Sequence, residues 1–214
     1  MDIAILLYEG LTVLDAIGPY EVLQRLPDAH TRFVAKQRGA VRSDSGGLGL
    51  LADHALSEVE HPEVVVVPGG GRGAIEASRD EETLDWLRAL HVSSRYTTSV
   101  CTGALILGGA GILDGLRATT HWAALPLLES YGARAVSERV VHEGKVITAA
   151  GVSAGIDMGL YLAAEIAGTE VAQVIQLSIE YDPKPPFQSG SIGTASPEIR
   201  ERALAALGRE VEPA

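Results

Sequence analysis

The chain has 214 residues, 46% of them hydrophobic, a net charge of −11 and a single cysteine. That length allows one domain with a large buried core, the acidic excess argues against a surface that holds nucleic acid or anionic lipid, and one cysteine excludes an internal disulfide framework. We expect a cytoplasmic protein, because the lone thiol fits a reducing compartment and no apolar stretch reaches the ~18 residues that a membrane-spanning helix needs.

The first predicted elements place an acidic residue at a sheet edge. Residues 3–8 form an apolar run without a basic leader, which predicts a first strand rather than a signal peptide. A helix is predicted to start close to Pro19, because proline is favoured in a first turn. Asp15 would then precede this helix at the carboxyl end of the strand, where α/β sheets bind ligands. A helix N-cap or a solvated loop carboxylate is the alternative role.

A glycine turn follows the next buried strand. Residues 31–36 predict a second strand and residues 41–53 a short β excursion, before the four valines of 64–67 form a buried strand. Gly69 and Gly70 come directly after it, where backbone N–H groups could bind an oxyanion or the polar end of a substrate. A plain tight turn is the alternative, and the spacing fits no phosphate-binding motif.

The single cysteine lies at a predicted strand-to-helix turn. After an amphipathic helix over 80–91, residues 96–107 read as a buried strand, then Cys101, then an apolar helix. The pattern from Ser99 to Gly103 resembles a nucleophile elbow. Because helix N–H groups would point at the sulfur, we expect this thiol to ionise more readily than a free one. An inert, packed core cysteine is the other interpretation.

The second half continues the alternation of strands and helices. Residues 119–122 lead into a helix to about residue 131, a hairpin is predicted around residues 143–145, and helices are predicted from Gly151 to about 167 and over 169–179. Prolines predict that residues 182–195 cross the surface without regular structure, before a last helix over 196–208. We therefore predict a single α/β domain over residues 1–214.

Three of these features should meet at one edge of the sheet. Asp15, the turn at Gly69 and Gly70, and Cys101 together offer a carboxyl, backbone donors and a thiolate, which suit nucleophilic chemistry. No histidine neighbours Cys101 in the sequence. Only His121 is a candidate for a position next to the site. The alternative is that His121 makes a structural hydrogen bond near the core. The histidines show no metal-ligand spacing, so we expect no metal, and the sequence offers no cofactor motif.

These residues carry a resemblance that covers residues 1 to about 190. The Pro-Gly-Gly turn after the valine strand, the elbow around Cys101 and the segment 14–19 resemble the ThiJ/PfpI superfamily. The resemblance implies a flavodoxin-like three-layer αβα sandwich with a mostly parallel sheet, a cysteine at a strained nucleophile elbow, and a homodimer.

Details within the superfamily narrow the function. Its protease-like and glyoxalase-like branches are expected to carry a glutamate in the first loop, and many place a histidine after the cysteine, where this chain has Asp15 and Thr102. Segments 98–103, 117–122 and 180–187 are similar to isocyanide hydratases and to the sensor domains of AraC-type regulators. Because the chain is acidic and stops at Ala214, we expect an enzyme rather than a DNA-binding regulator.

The resemblance implies a cofactor-independent lyase that hydrates an isocyanide to an N-substituted formamide. Cys101 would form a thioimidate, Asp15 would move protons, and Thr102 would orient the intermediate. The residues expected to bind the substrate or flank the site are Gly69, Gly70, Gly151 and His121. Two alternatives are a glyoxalase-type enzyme acting on small α-oxoaldehydes and a non-catalytic cysteine sensor of redox state or stress.

Overall fold

A seven-stranded sheet forms the centre of the molecule. The computed structural model describes residues 1–211, with side chains up to residue 208, so the last three residues of the predicted domain lie outside the described range. Two smaller sheets of two strands each accompany it. In chain order the strands of all three sheets are β1 (Asp2–Leu6), β2 (His30–Ala35), β3 (Gly39–Arg42), β4 (Gly49–Ala52), β5 (His54–Ala55), β6 (Val64–Val67), β7 (Tyr96–Val100), β8 (Arg117–Ala118), β9 (Arg134–Ala135), β10 (Val140–Glu143) and β11 (Val146–Ala149).

Helices separate most of these strands. They are α1 (Val13–Leu23), α2 (Arg72–Ala77), α3 (Glu81–Ser93), α4 (Gly103–Gly109), α5 (Leu125–Glu129), α6 (Ala154–Ala167), α7 (Thr169–Ser178) and α8 (Pro197–Val211), with short 3-10 turns at Leu56–Glu58 and Trp122–Ala124. Among the described residues, no helix combines the length and the apolarity that crossing a membrane requires.

The strand order is β10-β11-β7-β6-β1-β2-β5, and every neighbouring pair is parallel except β10 with β11. The central strands are covered on both sides, which is why β6 is four buried valines in a row. Side chains of α1, α6 and α7 pack on one face, and those of α2 to α5 pack on the other. The predicted flavodoxin-like, mostly parallel α/β sandwich is therefore confirmed.

Two small additions to the predicted elements come from tertiary pairing. β3 and β4 form the expected short β excursion, and the structure pairs them antiparallel. The edge strand β5 and the parallel strands β8 and β9 were not predicted, and each is only two residues long. Segments this short carry no periodicity by which they could be predicted.

The predicted start of the first helix is wrong. α1 begins at Val13, so Asp15 lies in its first turn and Pro19 lies inside it. Pro19 has no N–H to bond the carbonyl of Asp15, four residues earlier, and this usually disfavours a helix interior. Here the proline ring packs against α6, since a Cβ at Gly155 would lie 3.1 Å from the Pro19 Cδ. Packing between α1 and α6 outweighs the local preference.

Candidate active site

The backbone at Cys101 confirms the predicted strand-to-helix turn. β7 is buried along its length, Thr102 is the N-cap of α4, and Cys101 between them has a φ of +55°. A residue other than glycine in this region costs on the order of 1–3 kcal/mol, and such strain persists only where the surroundings enforce it. The Cys101 N–H helps to enforce it by donating to the Ala150 carbonyl at 2.9 Å.

Gly103 is the residue that lets this turn fit against the sheet. A Cβ at this position would lie 2.1 Å from the carbonyl oxygen of Val67, at the end of the neighbouring strand β6. No side chain can approach a backbone oxygen so closely. Position 103 therefore needs glycine because α4 lies in close contact with the end of β6.

Asp15 and Thr102 meet on either side of Gly69. A Cβ at Gly69 would lie 2.8 Å from Asp15 Oδ2 and 2.5 Å from the Thr102 nitrogen, so only glycine fits between them. Asp15 is fully buried, and its Oδ2 accepts a hydrogen bond from the Gly69 N–H at 3.0 Å. Its Oδ1 has no hydrogen-bond partner within the described part of the chain. Oδ2 is thus held by the Gly69 N–H, and Oδ1 is available to accept or donate a proton.

The glycine N–H groups have a different role from the predicted one. The Gly70 N–H donates to Thr102 Oγ1 at 2.9 Å, and the Thr102 hydroxyl donates back to the Gly70 carbonyl at 2.7 Å. Gly69 donates to Asp15, as described above. The expectation that these two glycines bind the substrate through their N–H groups is corrected, because both groups already hold side chains of the site in place.

The Asp15 carboxyl and the Cys101 thiol form a buried, coupled pair. Burial raises the pKa of Asp15 to about 7, although the hydrogen bond from the Gly69 N–H and the nearby Cys101 thiol act against that rise. Burial and the neighbouring Asp15 charge raise the pKa of Cys101 to about 12. Two negative charges in this apolar place are disfavoured, so around neutral pH the pair retains one proton between its two acidic groups.

The expectation of an easily ionised thiol is therefore wrong. Thr102 and the N–H of Val152 do lower the pKa of Cys101 by hydrogen bonding. Burial and Asp15 outweigh them, because the donors at the start of one short helix compensate only part of the cost of burying an anion. The thiolate forms most readily when its proton moves to Asp15.

Folding stability should report the raised pKa of Asp15. Between pH ~4 and 7 the unfolded chain has lost the Asp15 proton and the folded chain has not, so the contribution of Asp15 to stability is greatest below this window and falls as pH rises through it. The slope for one such group approaches about 1.4 kcal/mol per pH unit. Urea unfolding of the wild type and of Asp15→Asn across this range should differ by that slope. Parallel curves would contradict a raised pKa.

Gly151 and His121 lie together next to the elbow. A Cβ at Gly151 would lie 2.7 Å from the His121 Cδ2, so the histidine ring packs directly on this glycine. His121 Nδ1 also accepts from the Ala123 N–H at 3.4 Å, and burial lowers the pKa of His121, which keeps the ring neutral. Both residues line a cavity of about 360 Å³. His121 therefore makes a structural hydrogen bond, which was the alternative role expected from the sequence. Its ring also lies in the wall of a cavity next to the elbow.

Three residues of the site did not emerge from the sequence. Val152 has a φ of +29°, an outlier for a β-branched residue, and its N–H faces the Cys101 sulfur. The Thr120 hydroxyl donates to the Cys101 carbonyl at 2.8 Å, and Tyr8 donates to the Pro68 carbonyl at 2.8 Å. In the sequence, these residues are marked only by lying next to motifs already noted. Each contacts a partner far away in the chain, and local patterns do not predict such a contact.

Metal-binding side chains do not gather in the described residues. No three histidine, cysteine, aspartate or glutamate side chains there are arranged to hold a metal ion. The chemistry that the described site itself offers is that of a thiol, a proton-holding carboxyl and the surrounding hydrogen-bond donors.

Comparison with known proteins assigns the family. The model of the DJ-1/PfpI family matches residues 1–165. The chain belongs to the DJ-1/PfpI family. An isonitrile hydratase of Pseudomonas putida is 44% identical to this chain over 99% of the chain and 94% of its own length. Isonitrile is another name for isocyanide.

Other relatives show how widely this family domain is used. The transcriptional regulator CdhR of Pseudomonas aeruginosa is 30% identical over 84% of this chain, which spans about half (54%) of that regulator. A crystal structure of a ThiJ/PfpI family protein from Pseudomonas syringae superposes with a TM-score of 0.94 at 38% identity, covering 98% of this chain and 87% of that one. Drosophila melanogaster DJ-1beta shares the fold, with a TM-score of 0.77 at 23% identity over 85% of this chain and 98% of its own.

Proposed function

We propose that this DJ-1/PfpI protein hydrates isocyanides, R–N≡C, to N-substituted formamides through a covalent intermediate on Cys101. The observation that carries the proposal is the buried Asp15 carboxyl beside Cys101, with a pKa of about 7 and one oxygen that has no hydrogen-bond partner in the described part of the chain. The similarity to the isonitrile hydratase supports the same reaction class. The cytoplasmic location expected from the composition and the homodimer that the resemblance implies belong to this proposal as well.

The first half of the reaction adds the thiol across the terminal carbon of the isocyanide. Asp15 takes the proton of Cys101, and the thiolate then forms a C–S bond to that carbon. Asp15 returns the proton to the same carbon, which gives a neutral thioimidate, R–N=CH–S. A carboxyl with a pKa near 7 suits both transfers, because it neither holds nor releases the proton too strongly.

The second half adds water and releases the product. Asp15 removes a proton from water as the oxygen attacks the thioimidate carbon, and then passes that proton to nitrogen. The tetrahedral intermediate collapses when the C–S bond breaks and Asp15 accepts the hydroxyl proton, which leaves a formamide, R–NH–CHO. This leaves a thiolate and a protonated carboxyl, and return of the proton from Asp15 to Cys101 restores the starting pair, so one isocyanide and one water give one formamide.

The N–H groups around the sulfur have a clear part in this scheme. The Thr102 and Val152 N–H groups, which face the Cys101 sulfur, stabilise the thiolate as it forms and again as it leaves. Gly69 and Gly70 position the carboxyl and Thr102, respectively. Asp15 Oδ1, which is buried and has no hydrogen-bond partner within the described residues, is the atom that would move protons in both halves of the reaction.

The pKa of Cys101 argues against the redox sensor, and a parallel assay separates isocyanide hydration from the glyoxalase alternative. A redox sensor of the kind considered from the sequence relies on a thiol with a lowered pKa, and here the pKa of Cys101 is raised. For the glyoxalase alternative, the purified protein is incubated in parallel with cyclohexyl isocyanide and with methylglyoxal. Formation of N-cyclohexylformamide, followed by the NMR signal of its formyl proton, supports hydration; consumption of methylglyoxal alone would overturn it.

A further inference from the structure

The turn after β6 contains a peptide unit that is hydrogen-bonded at both of its ends. Between Pro68 and Gly69, the carbonyl oxygen accepts from the Tyr8 hydroxyl at 2.8 Å. The N–H of the same peptide donates to Asp15 Oδ2 at 3.0 Å. Pro68 and Gly69 are both buried, so water does not compete freely for either bond. Tyr8 and Asp15 are therefore linked through one planar peptide unit.

The next peptide unit of the turn is bonded in the same way. The Gly69 carbonyl accepts from the Thr12 N–H at 2.8 Å, and the Gly70 N–H donates to Thr102 Oγ1 at 2.9 Å. Residues that follow β1 thus bond the carbonyls of the turn, while the N–H groups of the turn hold side chains of the site. Of the two donors to these carbonyls, only Tyr8 uses a side chain, so a single substitution removes its bond.

The hydroxyl of Tyr8 is a permanent donor in this arrangement. Burial, followed by the charges of Asp15, Cys101 and Asp44, holds the pKa of Tyr8 well above its usual range, so the phenol keeps its proton. A donor on a peptide carbonyl polarises the peptide and strengthens its N–H as a donor. A carboxylate accepts such a bond more strongly than a neutral carboxyl does. The Tyr8 bond therefore favours the ionised form of Asp15.

Groups on three elements act on the Asp15 carboxyl. Besides burial, the charge of Asp44, on the turn between β3 and β4, raises the pKa of Asp15, while the Gly69 N–H and Cys101 lower it. The Gly69 N–H has the largest effect of the groups that lower this pKa. A group that strengthens the Gly69 N–H as a donor therefore changes the pH at which Asp15 releases its proton.

We propose that Tyr8 is a positioning residue of this site, which acts on Asp15 through the peptide between Pro68 and Gly69 and keeps the carboxyl acidic enough to release the proton that it receives from Cys101. The inference rests on the proposed function for the use of that proton. Both halves of the proposed reaction require Asp15 to take up and return protons, and a carboxyl that bound its proton too strongly would slow each return. Tyr8 thus supports turnover without contacting the substrate.

Alkylation of the lone cysteine measures this effect without any isocyanide. The rate of Cys101 modification by iodoacetamide should rise with pH through about 7, as Asp15 and Cys101 together lose their first proton. In Tyr8→Phe, which removes only the hydroxyl oxygen, the midpoint should lie about half a pH unit higher. The rates should coincide at low pH, where Asp15 is neutral. The plateau of the variant should be about threefold higher, because a more basic Asp15 takes the thiol proton more readily.

The direction of the shift separates this role from a structural one. Loosening of the turn would admit water and lower the pKa of Asp15 toward that of an exposed carboxyl, so the midpoint would fall. An unchanged or lower midpoint in Tyr8→Phe, checked for folding by thermal unfolding, would therefore overturn the inference. Incorporation of 3-fluorotyrosine at position 8 is a second test, because its more acidic hydroxyl is a stronger donor. It should lower the midpoint, and a rise would contradict the role of Tyr8.

Tyr20→Phe is the matched control, because it removes the same oxygen from a tyrosine of α1 whose ring packs on Phe33 at a centroid distance of 5.2 Å. Its midpoint should equal that of the wild type. The pH profile of kcat/KM for cyclohexyl isocyanide should move with the alkylation midpoint in Tyr8→Phe. If the wild type shows the alkylation midpoint but hydrates no isocyanide, the proposed function fails, while the alkylation shift still supports the effect of Tyr8 on Asp15.

Discussion

Replacing Cys101 with alanine should abolish isocyanide hydration, with a loss of kcat of at least about 10³-fold. The proposed chemistry needs a C–S bond, and Cys101 is the only cysteine in the chain, so no other thiol can substitute for it. The measurement is formamide formation at saturating cyclohexyl isocyanide, with thermal unfolding as a check that the variant is folded.

The lone cysteine also allows the intermediate to be located. The intact mass of the wild type, quenched in acid during turnover, should increase by the mass of one isocyanide, and Cys101→Ala should show no increase. Cys101→Ser is a close steric match whose hydroxyl ionises far less readily than a thiol, and it should be folded and inactive. Turnover by Cys101→Ala within tenfold of the wild type would contradict covalent catalysis at this residue.

Asp15→Asn should produce the second large loss, about 10²- to 10⁴-fold in kcat/KM, the range that a positioned general acid–base contributes. Asparagine keeps the shape of the side chain and can still accept from the Gly69 N–H, but it cannot take the thiol proton. The loss should appear in a variant that is at least as stable as the wild type at neutral pH, because asparagine avoids the cost of ionising the buried carboxyl. Glu21→Gln, an exposed position of the same helix that pairs with Arg25, is the control and should retain full activity.

The pH profile separates proton transfer from a purely structural role of Asp15. In the wild type, kcat/KM should rise with pH through about 7 and then level off, because the reactive pair carries one proton and the second is lost only with the raised pKa of Cys101. In Asp15→Asn the buried thiol must ionise alone, so the residual activity should rise only at higher pH. An unchanged profile with a reduced plateau would mean that Asp15 only positions other groups.

Several parts of the fold follow from local sequence alone. The four valines of β6 are buried on both faces, and a continuous β-branched run predicts such a strand without knowledge of its neighbours. The turn at Cys101 was predictable for the same reason, since a β-branched strand, a cysteine and small residues that open an apolar helix follow one another within twelve positions. In each case the element is predicted from the same residues that form it, so no distant contact is needed.

The position of Asp15 shows where this reasoning stops. The sequence placed it at the correct edge of the sheet, but local rules put it ahead of a helix that starts near Pro19, and the helix begins at Val13. The packing of Pro19 against Gly155 involves two segments more than 130 positions apart, and no local preference encodes it. The same limit applies to Val152, whose contact with Cys101 depends on how the loop after β11 lies beside the elbow.

The sequence by itself indicated the order of the longer strands and helices, a candidate nucleophile and the set of groups that could assist it, because those depend on residue type and local spacing. Only the tertiary structure decided which N–H groups serve Asp15 and Thr102, and that Cys101 resists ionisation. The pKa of a group depends on its burial and on the charges around it. For Cys101 both are set by Asp15 and by packing from distant parts of the chain, so the helix start beside it predicted the wrong direction.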